Sequence, residues 1–179
     1  PDGLTKEQWD YVMELKNVKR GRISEFAEKY NLEYEKGARV WQFGGDIAIP
    51  SATQNELDKK DAEALVASGC LAVSEGANMP TTPEGVAVLV AGGVLFAPGK
   101  AANAGGVATS GLEMSQNSGR LFWSREEVDE KLHGIMKNIH HNAYTTSKAY
   151  GKPGDYIMGA NIAGFMKVAN AMVAMGFKA

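Results

Sequence analysis

The feature that most constrains the fold is a threefold repetition of a short apolar segment, a polar loop and a helix-forming segment. The apolar segments lie at residues 46–50, 71–73 and 94–96, and glycine or proline occurs within two residues of each. Strands this short and apolar suit burial on both faces of a parallel sheet, whose crossovers are right-handed. The sequence therefore predicts an α/β fold, a partial Rossmann-like parallel sheet flanked by helices, with long helices at the C-terminal end.

Capping signals indicate where the helices begin. Thr5 with Gln8, and Ser124 with Glu127, have the spacing of a capping box, and Asp58 precedes a segment of helical periodicity. We expect residues 99–117 to form an unusually bare surface, with the chain turning helical again only after Asn117. The predicted helices cover residues 5–19, 23–30, 58–69, 82–91, 124–150 and 155–175.

Composition excludes several classes of partner. The net charge of the 179-residue chain is −2, which gives no reason to expect binding to nucleic acid or to an anionic membrane. A single cysteine, Cys70, excludes an internal disulfide and fits a reducing compartment. No apolar run approaches the roughly 18 residues of a membrane span, and no signal-peptide pattern is present. We expect a cytoplasmic protein.

The segment Val94–Asn117 is almost devoid of bulky side chains after its opening strand. Such a segment allows either a ligand or another backbone to approach closely, and a tight helix–helix crossing is the alternative to a binding site. Because a strand directly precedes it, the segment lies just past a carboxyl end, where open α/β sheets bind ligands. This position favours a binding site.

Neutral hydrogen-bonding side chains follow all three predicted strands. Amides and hydroxyls both donate and accept, which suits a carboxamide, a ribose or an amino-acid head group. Asparagine also forms turns, so a single one would carry no weight, but three successive strand ends carry such groups. The residues concerned are Thr53, Gln54, Asn55, Asn78, Asn103 and Ser110.

Other chemistries find less support. His133, His140 and His141 share one predicted helix, but no carboxylate or cysteine accompanies them at metal-ligand spacing, so we expect no metal site. Cys70 begins a predicted strand, and we expect it to be a buried residue of the core and not a nucleophile. Neither Gly-rich phosphate-binding pattern occurs. The basic cluster at Lys16, Lys19 and Arg22 fits either cations at a helix C-terminus or an anion site.

Four strings resemble one known family over essentially the whole chain. They are DIAIPSATQNELD (46–58), EGANMPTT (75–82), FAPGKAANAGGVATSGLEMSQN (96–117) and GANIAGFMKVANAM (159–172). Together they resemble the hexameric bacterial-type glutamate dehydrogenases. The resemblance implies that residues 1–120 are the C-terminal portion of a Rossmann-like dinucleotide-binding domain and that residues 121–179 are C-terminal helices packing on it.

The resemblance also implies roles for individual residues. Asn78 and Asn103 would contact the nicotinamide or its ribose, and Ser110 would hydrogen-bond a carboxylate of glutamate while Val107 packs on its aliphatic chain. Residues lining the same cofactor pocket would be Ala52, Thr53 and Gln54. The residue before Ala52 is Ser51, where the family usually has cysteine, a near-isosteric change.

A basic motif bears on the choice of cofactor. In NADP-preferring members of the family, the motif matching Lys16-x-x-Lys19-x-x-Arg22 holds the 2′-phosphate. Here Lys19 stands where arginine is expected, and lysine lacks the bidentate fork of a guanidinium. The resemblance therefore implies NADP as cofactor, with NAD as a further possibility.

The family's catalytic lysine and aspartate belong to an N-terminal domain outside the matching region. The parent enzyme would interconvert L-glutamate with 2-oxoglutarate and ammonia as a homo-hexamer, while this chain alone would be inactive and could be monomeric. Two alternatives stay open from the sequence. One is a related leucine or phenylalanine dehydrogenase, which would not need the hydroxyl of Ser110, and the other is a non-catalytic nucleotide-binding or assembly module.

Overall fold

The computed structural model describes residues 3–176 and divides the chain into two compact units, Pro1–Ala38 and Arg39–Ala179. Each unit is an assembly of its own elements. This division does not test the domain boundary expected at 120/121, which stays a prediction.

The first unit consists of helices. Helix α1 spans Lys6–Met13, continues directly as the π-helical segment Glu14–Val18, and is followed by α2, Ile23–Lys29. The predicted capping box is confirmed, since the Gln8 N–H donates to Thr5 Oγ1 at 3.2 Å and the Thr5 N–H to Gln8 Oε1 at 2.9 Å. Leu15, Phe26 and Ala27 are the buried apolar residues among those described in this unit.

The second unit is built on a parallel sheet, as predicted. Within the described residues its strands are β1 (Ile47–Ala48), β2 (Ala72–Ser74) and β3 (Leu95–Ala97), in the spatial order β1-β2-β3. Sequence order and spatial order coincide, so each crossover connects neighbouring strands. The three carboxyl ends therefore lie side by side along one edge of the sheet.

Six helices and one short 3-10 turn complete the part of this unit that the structure describes. The caps predicted for three of them are confirmed: the Asp58 carboxylate accepts from the backbone of α3, Thr82 caps α4 with proline at its first position, and Ser124 forms a capping box with Glu127. The elements are the 3-10 turn Val40–Phe43, α3 Lys59–Ala67, α4 Pro83–Ala91, α5 Gly99–Ala102, α6 Ala104–Gly119, α7 Arg125–Ala149 and α8 Tyr156–Ala174.

One face of the sheet is covered and the other is open. Ala48, Val73 and Phe96 lie in register and point into a core formed with leucines of α3 and α4. On the opposite face Ile47 and Leu95 are 64% and 47% exposed. A parallel sheet normally has helices on both faces, so within the described residues this sheet lacks the helices that usually cover its second face.

The expectation that the chain turns helical only after Asn117 is wrong. Residues Ala104–Gly119 form α6, a helix of 16 residues. The segment lacks the apolar periodicity that marks an amphipathic helix, and its glycines lower its intrinsic helix propensity. The bare segment is therefore a helix running away from the sheet edge and not a loop along it.

Helix α8 corrects a second expectation. Its 19 residues, Tyr156–Ala174, are long and apolar enough by composition to cross a membrane, although a few polar residues interrupt the run. A single helix of this length and composition is weak evidence for a membrane span. The helix packs closely on α7, where an added Cβ at Gly159 would lie 2.0 Å from the carbonyl oxygen of Ala143.

The Asp58 cap gives a testable pH dependence. Its carboxylate accepts from the N–H groups of Lys60 and Asp61 at 2.8 and 3.1 Å, and the bond from Asp61 is the main cause that lowers its pKa below the usual value. A depressed pKa contributes stability above the unfolded-state value of about 4, and this contribution is lost as the pH falls through the folded-state value. Asp58→Ala should therefore lower the melting temperature by a few degrees at pH 7 and by less below pH 4, whereas Glu63→Ala on the same helix should change little. An equal loss at pH 7 and pH 3 in thermal melts would contradict this origin.

Candidate ligand site at the carboxyl edge of the sheet

Three loops meet at the carboxyl edge of the sheet, and those after β1 and β2 are joined by backbone hydrogen bonds. The Pro50 carbonyl after β1 accepts from the N–H groups of Gly76 and Ala77 after β2, at 2.9 and 3.0 Å. The Asn55 N–H donates to the Met79 carbonyl at 3.0 Å. These loops are therefore held against each other by the main chain itself.

Glycine permits a close approach at one of these junctions. A Cβ added to Gly76 would lie 2.2 Å from the Ser51 hydroxyl oxygen and 3.1 Å from the Ser51 Cβ, so a side chain there would force Ser51 to shift. This close approach narrows the space between the first two loops and leaves an opening toward α6.

The opening is a cavity of about 620 Å³ between the three loops and the start of α6. Six of the residues that the resemblance implicates line it together, although their roles stay predictions. The lining residues are Ser51, Ala52, Thr53, Gln54, Gly76, Ala77, Asn78, Asn103, Gly106 and Val107. Within these residues no side chain carries a formal charge.

Two asparagine side chains form the polar centre of this cavity. Asn103 Nδ2 donates to the Ala77 carbonyl at 3.0 Å and to Asn78 Oδ1 at 2.7 Å. Because a carbonyl can only accept, the Ala77 contact fixes which end of the Asn103 amide is nitrogen. Asn103 Oδ1 and Asn78 Nδ2 have no partner within residues 3–176, so an acceptor and a donor remain for a ligand.

Two carboxylates that sequence reasoning missed hold the backbone around this cavity. Glu56 Oε1 accepts from the Ala52 N–H at 2.7 Å and lies 3.4 Å from the Thr53 nitrogen. Glu75, only 6% exposed, accepts from the N–H groups of Thr81 and Gly99. The sequence offered one signal, and only for Glu75: an acidic residue lies directly after a predicted strand and before Gly76.

Ser110 does not line the cavity, although Val107 does. Both lie on α6, where Val107 is 73% exposed and Ser110 is exposed about one turn further from the sheet. The Ser110 hydroxyl donates back to the Gly106 carbonyl at 3.4 Å. Sequence reasoning grouped Ser110 with strand-end residues because it treated this segment as a loop.

Asn55 also takes a different part from the one expected. It has a left-handed backbone with φ of 58° and contributes its main-chain bond to the loop after β2, and it does not line the cavity. Asparagine tolerates this conformation better than most residues.

The basic residues Lys16, Lys19 and Arg22 lie in the first unit. Lys16 Nζ donates to the Gly21 carbonyl at 3.0 Å, and Arg22 is the N-cap residue of α2. Lys19 Nζ lies 3.0 Å from Glu14 Oε1, and the hydrogen bond and charge of that carboxylate raise the pKa of Lys19 above its usual value. Lys19 is therefore cationic and forms an ion pair with the Glu14 carboxylate.

Nothing in the described residues supports a metal site or a reactive thiol. Within residues 3–176 no group of three histidine, cysteine or acidic residues is placed to hold a metal ion. His140 instead hydrogen-bonds the Tyr156 hydroxyl at 3.0 Å, and Cys70 is buried in the core.

Comparison with known proteins identifies the fold and the family. The model of the glutamate/leucine/phenylalanine/valine dehydrogenase family matches residues 1–176. The chain belongs to this family. Among solved structures, glutamate dehydrogenase 2 of Plasmodium falciparum superposes with a TM-score of 0.91 and is 46% identical, over 98% of this chain and 39% of that one.

Curated members of the family are still more similar in sequence. The glutamate dehydrogenase of Bacteroides thetaiotaomicron is 61% identical over 98% of this chain, and the NAD(P)-specific glutamate dehydrogenase of Xylanibacter ruminicola is 57% identical over the same share. The NADP-specific glutamate dehydrogenase of Escherichia coli is 53% identical over 97%. The chain spans about 40% of the length of these relatives.

Proposed function

We propose that this chain is the C-terminal cofactor-domain portion of an NADP-dependent glutamate dehydrogenase, which interconverts L-glutamate with 2-oxoglutarate and ammonia. The observation that carries the proposal is the asparagine pair in the cavity at the sheet edge. A nicotinamide carboxamide has one oxygen acceptor and one NH₂ donor, and Asn78 Nδ2 and Asn103 Oδ1 offer the complementary donor and acceptor.

The relatives support both substrate and cofactor. Their names specify glutamate as the substrate, and the names of several specify NADP or either nicotinamide cofactor. In this proposal Lys16, Lys19 and Arg22 bind the 2′-phosphate. The ion pair of Lys19 with Glu14 weakens that contribution, which fits the inclusion of NAD as a second cofactor.

The open face of the sheet supports the view that a longer polypeptide performs the reaction. Ile47, Ile49 and Leu95 are exposed on a parallel sheet, although such sheets usually bury both faces. In the proposed parent protein, further chain would cover this face and would carry the catalytic lysine and aspartate. We therefore expect the 179-residue chain alone to give no turnover.

The bound cofactor would supply the hydride acceptor, and the residues of this chain would orient it. Asn78 and Asn103 would hold the carboxamide in place, which would fix the rotation of the nicotinamide ring about its bond to the ribose and so the ring face that meets the substrate. Thr53 and Gln54 would contact the ribose region, Val107 would pack on the substrate's aliphatic chain, and Ser110 would bind a substrate carboxylate in the assembled enzyme.

Location and assembly complete the proposal. We expect a cytoplasmic homo-hexamer for the parent enzyme. The isolated chain would be monomeric, because the main assembly contacts would lie in the remaining part of the polypeptide. Sedimentation of the purified chain tests this expectation directly.

A chimaera tests the function. Replacing the matching 40% of the Bacteroides thetaiotaomicron enzyme by this chain should give glutamate-dependent reduction of NADP, because the two segments are 61% identical. Asn103→Ala in the chimaera should raise the KM for NADP about tenfold, as expected for about 1.4 kcal/mol from one lost hydrogen-bonding group. Asn117→Ala, at an exposed position of α6, is the matched control and should change this KM less than twofold.

The outcomes separate the alternatives. A folded chimaera that oxidises leucine or phenylalanine but not glutamate would contradict the substrate. A folded chimaera without any dehydrogenase activity would favour the non-catalytic module. Equal effects of Asn103→Ala and Asn117→Ala would contradict the role of the asparagine pair.

A further inference from the structure

One buried carboxylate connects the two segments that carry the asparagine pair. Glu75 directly follows β2 and is 6% exposed. Its Oε2 accepts from the Gly99 N–H at 2.6 Å and its Oε1 from the Thr81 N–H at 3.3 Å. Its own N–H donates to the Ala97 carbonyl at 3.1 Å, so Glu75 is bound to β3 through its main chain as well.

The contact with Thr81 closes the loop that carries Asn78. Glu75 and Thr81 are the ends of this seven-residue segment, and Asn78 is its middle residue. Met79 beside it has a left-handed backbone with φ of 49°, a conformation that costs energy for this residue type. The loop therefore needs an external constraint to keep this shape, and the Glu75 carboxylate supplies one.

The contact with Gly99 fixes the segment that carries Asn103. Gly99 begins α5, and its carbonyl accepts from the Asn103 N–H at 2.9 Å. A Cβ at Gly99 would lie 2.9 Å from the Ala77 carbonyl oxygen, the same atom that accepts from Asn103 Nδ2. Glu75, Gly99 and Asn103 thus form one continuous path to the asparagine pair.

Placing a carboxylate at a buried structural position is energetically unfavourable, because an ionised group loses its hydration on burial. Bonds from N–H groups to a charged acceptor are stronger than bonds to a neutral one, and both oxygens can accept. An amide in the same place has a single oxygen and would present its NH₂ group to one of the two N–H donors.

We propose that Glu75 is a positioning residue for nicotinamide binding, which sets the distance between Asn78 and Asn103 by holding the loop after β2 and the start of α5 together. This inference rests on the proposed function only for the identity of the ligand. The geometric part concerns the asparagine pair itself and is measurable without activity.

The activity test uses the active chimaera with the isosteric change Glu75→Gln. The KM for NADP should rise about tenfold, because the amide can keep only one of the two bonds from the Thr81 and Gly99 N–H groups. The KM for glutamate should change less than twofold, because the proposed substrate residues Val107 and Ser110 lie on α6 and not on the two segments that Glu75 holds. Glu84→Gln, at an exposed position on α4, is the matched control and should leave both values unchanged.

A double-mutant cycle separates positioning from a general loss of stability. If Glu75 acts through the asparagine pair, adding Glu75→Gln to Asn103→Ala should raise the KM for NADP less than twofold further. Independent multiplication of the two effects would overturn the proposal. An unchanged KM in Glu75→Gln, with a raised one in Asn103→Ala, would overturn it while leaving the proposed function intact.

Nuclear magnetic resonance of the 179-residue chain gives a readout that needs no enzyme activity. In Glu75→Gln the Gly99 amide proton and both Asn103 side-chain protons should shift, whereas in Glu84→Gln they should not. If Glu75→Gln does not fold, Glu75→Asp keeps the charge with a shorter reach and is measured in its place. A Gly99 shift without any Asn103 shift would overturn the positioning role, and an inactive wild-type chimaera would overturn the proposed function alone.

Discussion

Gly159→Ala should lower the free energy of unfolding of this chain by about 2 kcal/mol, within the range for overpacked buried positions. Its new Cβ would lie 2.0 Å from the Ala143 carbonyl oxygen and 3.1 Å from the Ser147 Cβ. Both of those residues are buried on α7, at 3% and 0% exposure. The contact is with the main chain, so a side-chain rotation cannot relieve it, and α8 must move away from α7.

The matched control, Gly164→Ala, should change the free energy of unfolding in the opposite direction. Gly164 lies on the same helix, is exposed, and has no atom within 4 Å of an added Cβ. Gly164→Ala should therefore stabilise the chain by about 0.5–1 kcal/mol, because alanine has the higher helix propensity. Urea denaturation followed by circular dichroism measures both changes, and two stabilised variants would contradict the close α7–α8 crossing.

The strands and most helices could be predicted because their signals are local. Asp58, Thr82 and Ser124 cap helices through their own side chains, and the strands β1 to β3 are short apolar runs flanked by glycine and proline. The observed strands differ from the predicted ones by one or two residues. No distant contact is needed to read such signals.

The helix α6 was missed because its sequence carries little positional information. Glycine at 105, 106 and 111 lowers helix propensity, and no apolar stripe marks a buried face. The same error grouped Ser110 with the strand-end residues, whereas in the helix it lies one turn beyond Val107; its role in substrate binding stays a prediction.

The convergence of Asn78 and Asn103 could be predicted from topology, because neighbouring parallel strands bring their carboxyl ends to one edge. The parts of Glu56 and Glu75 could not. Their partners are backbone N–H groups of other loops, and the sequence gives no sign that those groups are oriented toward one carboxylate. Recognition of such residues requires the positions of main-chain atoms.

Arg39→Ala should lower the free energy of unfolding by about 2–3 kcal/mol. Arg39 Nη1 lies 2.9 Å from Asp58 Oδ2 and Nη2 2.8 Å from Asp61 Oδ2. The Asp61 side chain is 2% exposed, so removal of the guanidinium leaves a buried carboxylate without its cation. Loss of one partner of a fully buried pair costs about 3–5 kcal/mol, and the 41% exposure of Arg39 reduces that value.

The same guanidinium reaches the candidate ligand site through Glu56. Arg39 Nη2 and Trp41 Nε1 both donate to the Glu56 carbonyl, while the Glu56 side chain holds the Ala52 backbone. Arg39→Ala should therefore loosen the loop after β1 as well as α3. Hydrogen exchange should rise at the amides of Ala52 and Thr53 before the core of α3 is affected.

Two comparisons decide whether the buried charge is the cause. Lys59→Ala breaks an exposed pair with Glu63 at 3.8 Å and should change the free energy of unfolding by less than about 0.5 kcal/mol. Arg39→Ala combined with Asp61→Ala should be less destabilising than the sum of the two single changes, because the double variant no longer buries an unpaired carboxylate. Strict additivity would mean that Arg39 stabilises the chain through Asp58 and the Glu56 carbonyl and not through Asp61.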